Sequence, residues 1–415
     1  MHYKYLIAGL VISFLLGSSQ IIAVDLAFLN EFNTAKVNTG ETNPLNLLNR
    51  PKYGLKNILH FDKKQTLFKG DFILNGRLYA NHNRILSSFN NIEETTSEYS
   101  VDINELFYNH FGDTYLVSIG RKKVKWGVGY VSSPTDIVSP PTSPDDPNDR
   151  LYSLQGSDLV QLTLYGNDSQ LDFFALPLSE HNKGFIESPA IAARFYKFIA
   201  PFDVSLVTRV QENKDTLFGF NNSIAIGDSL ELHSDYTWKL SNHLLYPKDM
   251  GGTVSLESRS EPVSQILLGG QWSPNKKWNF VFEYFHFTDG FSNNEWDDYQ
   301  SMLGQLNLSL NNVLTKDAAV SSFNGFSSRS QFPLRQNYLF SRILRNKIAS
   351  KLDFELIVLL GLDDGSYIQQ STLSLQTSSL VKMYVRALNA AGSDKSEFSQ
   401  FPNNYQILAG MKIKI

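Results

Sequence analysis

The last twelve residues, Asn404 to Ile415, alternate strictly in character. Tyr405, Ile407, Ala409, Met411, Ile413 and Ile415 fall on one face of an extended strand, and Gln406, Gly410, Lys412 and Lys414 on the other. Successive side chains of a strand point to opposite faces, so the segment reads as a strand with one apolar and one polar side. The pattern recurs along the chain. Phe68, Phe72, Leu74 and Leu78 oppose Lys69, Asp71, Asn75 and Arg77; Ile191, Ala193 and Phe195 oppose Ala192, Arg194 and Tyr196. Phe202, Val204, Leu206 and Val210 oppose Asp203, Ser205, Arg209 and Gln211; Leu230, Leu232, Tyr236 and Trp238 oppose Glu231, His233 and Asp235. Leu352 to Leu360 carries Asp353 and Glu355 on its second face, and Val381 to Ala387 carries Lys382 and Arg386. A soluble sandwich would turn the charged face to water. A membrane barrel would turn the apolar face to lipid and the charged face to a wet lumen. Alternation alone permits both.

The connections separate the two. About sixteen strands can be placed, with 14 to 18 allowed, starting near Leu67, Tyr99, Thr114, Ser157, Ser169, Pro189, Phe202, Leu217, Leu230, Val263, Trp278, Arg335, Lys351, Tyr367, Leu380 and Asn404. Short links recur at 111–113, 167–168, 200–201, 227–228, 273–276, 346–350 and 376–379. The intervening links run longer, at 81–98, 127–156, 178–188, 241–262, 289–334 and 390–403, although those near Asn213 and Asp364 are tight. Short turns on one side and long loops on the other fit an up-and-down transmembrane β-barrel whose termini share the short-turn side. Gly251 to Glu257 has room for one more strand. Trp278, Phe280, Phe282 and Tyr284 share a face, and Trp238 and Trp272 sit at strand ends, as an aromatic girdle requires.

The amino terminus supports export. Lys4 precedes an apolar run from Leu6 to Leu16, followed by Gly17-Ser18-Ser19 and Ala23. This order of basic start, short apolar stretch and small residues reads as a signal peptide over residues 1–23 and is too short for a membrane span. The chain has no cysteine, so an exported fold must close without disulfides. A net charge of -4 gives no case for nucleic acid. Residues 24–65 do not show the alternation and are expected to form a periplasmic arm or a plug, leaving 66–415 as the barrel.

Two features carry a family resemblance. The closing strand, with its apolar last residue, resembles the C-terminal assembly signal of bacterial outer-membrane β-barrels; Ile415 stands where those signals usually end in Phe. Between Asn104 and Pro141 the order is Glu105-Leu106-Phe107-Tyr108, Gly120-Arg121, Trp126-Gly127, Pro134-Thr135-Asp136 and Ser139-Pro140-Pro141. This order resembles a motif of porin-like outer-membrane barrel families of Gram-negative bacteria. Lys122 and Ser139 depart from the usual Gln and Asn of that motif. The resemblance implies an all-β barrel in the outer membrane with both termini periplasmic. It also implies a channel passing small hydrophilic or amphipathic solutes. Its expected partners are outer-membrane lipid, lipopolysaccharide, the barrel-assembly machinery and the solutes themselves, with a homo-oligomer allowed.

Candidate pore-lining residues follow from parity: Asp71, Arg77, Arg194, Arg209, Glu231, Asp235, Asp353, Glu355, Lys382 and Arg386, with Lys412 on the same face. Their mixed sign gives no charge selectivity and equally allows a plug of paired ions. Arg121, Lys123 and Lys125 form a row on one side of Trp126. In an unbroken strand the row would face lipid, so Gly120 must bend it into the lumen or the cations must stand above the membrane. Pro134, Pro140, Pro141 and Pro144 stiffen the following loop, which is expected to fold inward and constrict the pore. Asp136 and the carboxylates at 145–149 are expected to pair with the basic row or with Arg194 and Arg209.

Other functions find less support. The oxygen-rich Asp145, Asp146, Asn148 and Asp149 match no calcium loop, and the eight histidines show no metal spacing, so neither metal nor cofactor is expected. Tyr299, Met302, Leu303, Leu306, Leu310 and Val313 have helical spacing, suggesting a loop helix that covers or enters the mouth. Long loops also permit an adhesin or receptor. His286 and Thr288, two residues apart on the outer face, permit a barrel phospholipase, although threonine is a poor nucleophile and the spacing names no Asn or Asp partner.

Overall fold

The structure is a computed structural model that describes residues 24–39, 43, 48–86, 93–140, 156–183, 185–212, 216–240, 245–249, 254–310, 317, 320, 334–401 and 403–415. The first strands are β1 (Asp25–Val37), β2 (Tyr53–Leu67), β3 (Gly70–Leu86), β4 (Glu93–Phe111), β5 (Tyr115–Lys122), β6 (Ser157–Gly166) and β7 (Ser169–Leu176). Next come β8 (Ala190–Ile199), β9 (Phe202–Gln211), β10 (Leu217–Ile226), β11 (Leu230–Lys239), β12 (Leu245–Asp249), β13 (Val254–Ser258), β14 (Val263–Asn275) and β15 (Trp278–Phe287). The helix α1 (Asn293–Leu310) precedes β16 (Asn337–Ala349), β17 (Leu352–Gly361), β18 (Tyr367–Gln376), β19 (Val381–Ala391) and β20 (Asn403–Lys414).

All strands but β12 and β13 belong to one 18-stranded sheet. Each pairs antiparallel with its sequence neighbours, and β20 closes the barrel on β1, from Ala27 opposite Lys414 to Val37 opposite Asn403. Closure leaves no strand edge unpaired, which the hydrocarbon of a bilayer demands of any β structure that crosses it. β1 begins and β20 ends at the short-turn end. Among the described residues no helix is long and apolar enough to cross a membrane.

The count exceeds sixteen because the segment expected to be an arm or plug supplies β1 and β2. Its alternation is concealed by amides on the outer face, where Asn30 interrupts Leu26, Phe28 and Phe32, and Asn57 interrupts Leu55 and Leu59. The two amides meet across the strands, Asn30 Nδ2 donating to Asn57 Oδ1 at 2.7 Å. Of the stretch Gly251 to Glu257, the described residues Val254 to Glu257 enter the separate β12–β13 hairpin and not the barrel sheet. The signal segment and the acidic stretch 145–149 lie outside the described residues.

Register fixes the inner face. Tyr384 opposes Gly410, Gly410 opposes Glu31, Glu31 opposes Lys56, and Lys56 opposes Asn81. On the other parity Phe32, Phe195, Leu206, Trp238, Trp272, Phe282 and Val385 stand exposed, an apolar belt that suits lipid.

Candidate functional site

The loop that leaves β5 turns into the barrel. Gly120 has φ +124°, and a Cβ there would lie 2.2 Å from Leu106 O, so only glycine lets the strand end this way. Arg121 then bonds Asp158 at 2.8 Å and Ile103 O at 3.0 Å. The loop closes on itself: Asp136 Oδ1 accepts the backbone N–H groups of Trp126 (2.6 Å) and Gly127 (2.7 Å). Lys125 Nζ donates to Gly129 O at 2.7 Å, and Ser133 Oγ accepts Gly129 N–H at 3.0 Å.

Two carboxylates on the far wall hold it. Asp235 of β11 accepts Thr135 N–H at 3.0 Å, Thr135 Oγ1 at 2.8 Å and the Ser133 hydroxyl. Glu283 of β15 accepts Val131 N–H at 3.3 Å and Tyr130 N–H, with His233 Nε2 3.1 Å away. Asn221 donates to Trp126 O (3.1 Å) and Thr135 Oγ1 (2.7 Å), and Arg209 donates to Ile137 O (2.7 Å). A hydrogen bond to a charged group is worth about 1.5–3 kcal/mol, so these latches fix one loop position. The fit is close at Gly219, where a Cβ would approach Val207 Cγ2 to 2.7 Å and Thr135 Cγ2 to 2.9 Å.

Apolar packing completes the seat. Trp126, Ile137 and Val138 join Leu159, Phe174, Leu176, Ala192, Val207 and Leu217 from the inner faces of β6 to β10. Trp126 meets Phe174 edge-on at 4.9 Å. On the opposite wall Val131 packs with Leu267, Phe285, Tyr338, Phe340, Ile357 and Leu359. Tyr130 stacks on Phe340 at 5.8 Å, beneath the Arg342 guanidinium at 4.9 Å.

The remaining sector of the wall, from β19 through β20 and β1 to β3, has a different character. Lys382 directly opposes Lys412 across β19 and β20. His60 lies within reach of the charges of Lys412, Arg77, Lys56 and Lys123. Arg77 and Lys56 flank the Tyr79 ring at 4.9 Å and 5.7 Å, and Arg386 lies 5.9 Å from Tyr384. Glu31 on this wall is bonded by the Tyr384 hydroxyl, and Asp102 lies 3.8 Å from Arg77.

The parity candidates therefore divide. Arg77, Lys382, Arg386 and Lys412 gather on the basic sector. Asp71 pairs with Lys64 (2.8 Å), Glu355 with Arg342 (2.6 Å), and Asp353 accepts Lys347 N–H (2.9 Å). Arg194 donates to Ser205 at 3.2 Å and lies 3.9 Å from Asp172, while Glu231 opposes Gln271. The expected basic row is not one row: Arg121 pairs with Asp158, Lys123 joins the basic sector and Lys125 serves the loop. Asp136 braces the backbone N–H groups of Trp126 and Gly127 within its own loop, where the sequence suggests pairing with the basic row or with Arg194 and Arg209. Glu283, Asn221, Ser133 and His233 were not anticipated as site residues. One signal existed: Glu283 shares an inner face with Val281, Phe285 and Phe287, and a lone carboxylate on an apolar face needs donors.

Above this site, α1 is capped by Ser292, whose N–H reaches Glu295 at 2.8 Å. Its Trp296, Tyr299, Met302 and Leu303 are buried, and Trp296 Nε1 donates to Lys395 O at 2.9 Å. The expected loop helix thus docks on the 392–401 segment, whose Phe398 enters the inner apolar cluster. His286 and Thr288 form no nucleophile–base pair. Thr288 Oγ1 accepts Ser264 N–H at 2.7 Å, and His286 Nδ1 meets Asn337 Oδ1 at 2.9 Å.

Neither a protein-family model nor a curated protein sequence matches this chain. Solved structures do. Acinetobacter baumannii OccAB1 aligns over 96% of this chain and 98% of its own, with TM-score 0.54 and 8% identity. Pseudomonas aeruginosa OccK11 (OpdR) gives 94% and 95% coverage, TM-score 0.52 and 11% identity. P. aeruginosa OccK5 (OpdH) gives 94% and 98%, TM-score 0.50 and 9% identity. The structural neighbours are outer-membrane porins, and at such identities the likeness is one of fold.

Proposed function

We propose that this protein is an outer-membrane channel for passive passage of small hydrophilic or amphipathic solutes, with loop 123–140 as its constriction. The observation that carries this reading is the latching of the loop across the barrel by Asp235 and Glu283. A loop so held narrows a pore to the sector it leaves uncovered, and that sector carries Lys56, His60, Arg77, Lys123, Lys382, Arg386 and Lys412. Fixed charge at a constriction sets ion preference, so anions should pass more readily than cations. The porin fold of the neighbours supports an outer-membrane location and a channel in preference to an enzyme. On this reading the short turns and both termini face the periplasm, and β20 is the segment offered to the assembly machinery. Lipid and lipopolysaccharide surround the outer belt, and a second copy could satisfy the outward amides of Asn30 and Asn57.

Single-channel recording in planar bilayers tests the proposal. Discrete conductance steps are expected, with a reversal potential in a KCl gradient displaced toward that of chloride. Protein that is folded and inserted but gives no steps would refute it.

A further inference from the structure

The short-turn rim is unevenly charged. Asp113, Asp168 and Asp228 occupy the turns before β5, β7 and β11, whereas Lys276 and Lys277 occupy the turn before β15. Arg345, Lys347 and Lys351 crowd the neighbouring end of β16 and its turn into β17. The two basic turns adjoin: Trp278 opposes Arg345, and Asn346 N–H donates to Lys277 O at 2.8 Å. Both lysines of the first turn, Lys347 and Lys351 are exposed. Asp228 marks one edge, beside the end of β14, and Asp353 accepts Lys347 N–H from the inner parity.

An aromatic wall rises from the same place on the outer parity. Trp272 and Phe280 stack at 5.4 Å, Phe280 and Trp278 at 5.5 Å, and Arg345 lies 4.8 Å from the Trp278 ring. Trp rings favour the headgroup level of a bilayer, and an outward arginine is costly in hydrocarbon, so together they mark the bilayer surface. Arg345 donates to Asn346 O at 3.4 Å, a long contact that engages one nitrogen of its fork. A guanidinium fork suits phosphate oxygens, while the rings beside it suit acyl chains.

We infer that the rim from β14 to β17 is a binding surface for an anionic phospholipid of the leaflet that meets the short turns. Its phosphate sits among Arg345, Lys347 and Lys277, and its chains lie along Trp272, Phe280 and Trp278. Net negative charge on the headgroup is what the surplus of cations selects. This inference rests on the barrel being inserted in a membrane.

Tryptophan quenching by brominated lipid tests it on the full chain in phosphatidylcholine vesicles. Brominated phosphatidylglycerol at low mole fraction should quench more than brominated phosphatidylcholine. The excess should vanish in the W272F/W278F variant and fall about fivefold for each cation removed in R345Q, K347Q and K277Q. Equal quenching by the two lipids in the unaltered chain would overturn the inference, whatever the variants do. An excess that survives removal of all three cations would overturn it too. Soluble glycerol phosphate should leave the excess unchanged; if it abolished the excess, the site would be one for free phosphate, and the lipid assignment would fail. Conductance recorded in the same membranes keeps the two readings apart, because a chain without steps that still shows the excess contradicts only the channel.

Discussion

The two sectors of the lumen differ as sharply as the two faces of a strand. Under the inserted loop, the inner positions of β15 to β17 include Val281, Phe285, Phe287, Tyr338, Phe340, Ile357 and Leu359, with the buried Glu283 and the Arg342–Glu355 ion pair among them. On β19, β20 and β1 to β3 the same parity holds Lys382, Arg386, Lys412, Lys56, His60 and Arg77. An inner face that water wets takes charge, and one that protein covers takes apolar side chains with donors paired to every carboxylate. A barrel strand apolar on both faces therefore marks where something inside leans against it. This is how the seat of the inserted loop can be recognised.

Removing the covered sector's contents should produce the largest change. Excising residues 128–138 with a short glycine link takes away both latches and most of the loop's apolar packing. Single-channel conductance is expected to rise severalfold, while heat-modifiable gel mobility still reports a closed barrel. Unchanged conductance would mean that the current bypasses the loop altogether. Loosening the loop without removing it should do less. Asp235→Ala leaves Thr135 N–H and the Ser133 and Thr135 hydroxyls without their acceptor, at about 1–3 kcal/mol for each buried group left unpaired. Asp235→Asn keeps an acceptor oxygen but loses the charge. Open-channel noise is expected to increase in the order native, Asn, Ala; equal noise in all three would show that apolar packing alone seats the loop.

The basic sector is tested by charge reversal. Lys56→Glu with Lys412→Glu places two carboxylates on the uncovered wall and should shift the reversal potential in a KCl gradient toward potassium. The shift should shrink as salt rises, since the screening length falls from about 10 Å at 0.1 M to about 3 Å at 1 M. Insensitivity of the reversal potential at low salt would place the ion path away from this wall and remove the contrast between the sectors.

Much of this architecture was legible in the sequence. Strand starts expected at Ser157, Ser169, Phe202, Leu217, Leu230, Val263, Trp278 and Tyr367 coincide with observed starts, because polar or small residues interleave with apolar ones there and turns punctuate them. Parity also put Asp71, Arg77, Arg194, Asp235, Glu355 and Lys382 on one face, and the strand register keeps them on a common face of the sheet. β1 and β2 escaped because Asn30 and Asn57 break the apolar rhythm while bonding each other. The loop's inward fold could be argued from its prolines, but its partners could not. Asp235 lies about 100 residues away along the chain and Glu283 about 150. Only strand order brings those carboxylates opposite a loop that leaves β5, and no local pattern encodes a pairing set by closure of the barrel.

The smallest expected effect concerns the lid above the packed sector. Glu397, in the 392–401 segment, accepts the Tyr338 hydroxyl at 2.7 Å and Leu334 N–H at 3.3 Å, and so ties this segment to the chain descending from α1. Burial pushes its carboxyl up from the usual 4.5 to about 8, the charge of Asp364 adding to the rise and the Tyr338 bond opposing it. Because the docked state holds a proton that the released state gives up, docking is fully favoured below about pH 4.5 and weakens as pH climbs through 8. Hydrogen exchange of the amides at 392–401, corrected for intrinsic rates, should therefore show protection declining between pH 5 and pH 9. Glu397→Gln removes the titrating group while keeping an acceptor oxygen, so its protection should stay level over that range. Barrel amides in β16 to β18 should hold their protection in both proteins, because their hydrogen bonds do not depend on this proton. Protection at 392–401 that ignores pH in the unaltered chain would show that Phe398 and Trp296 hold the lid by apolar packing alone.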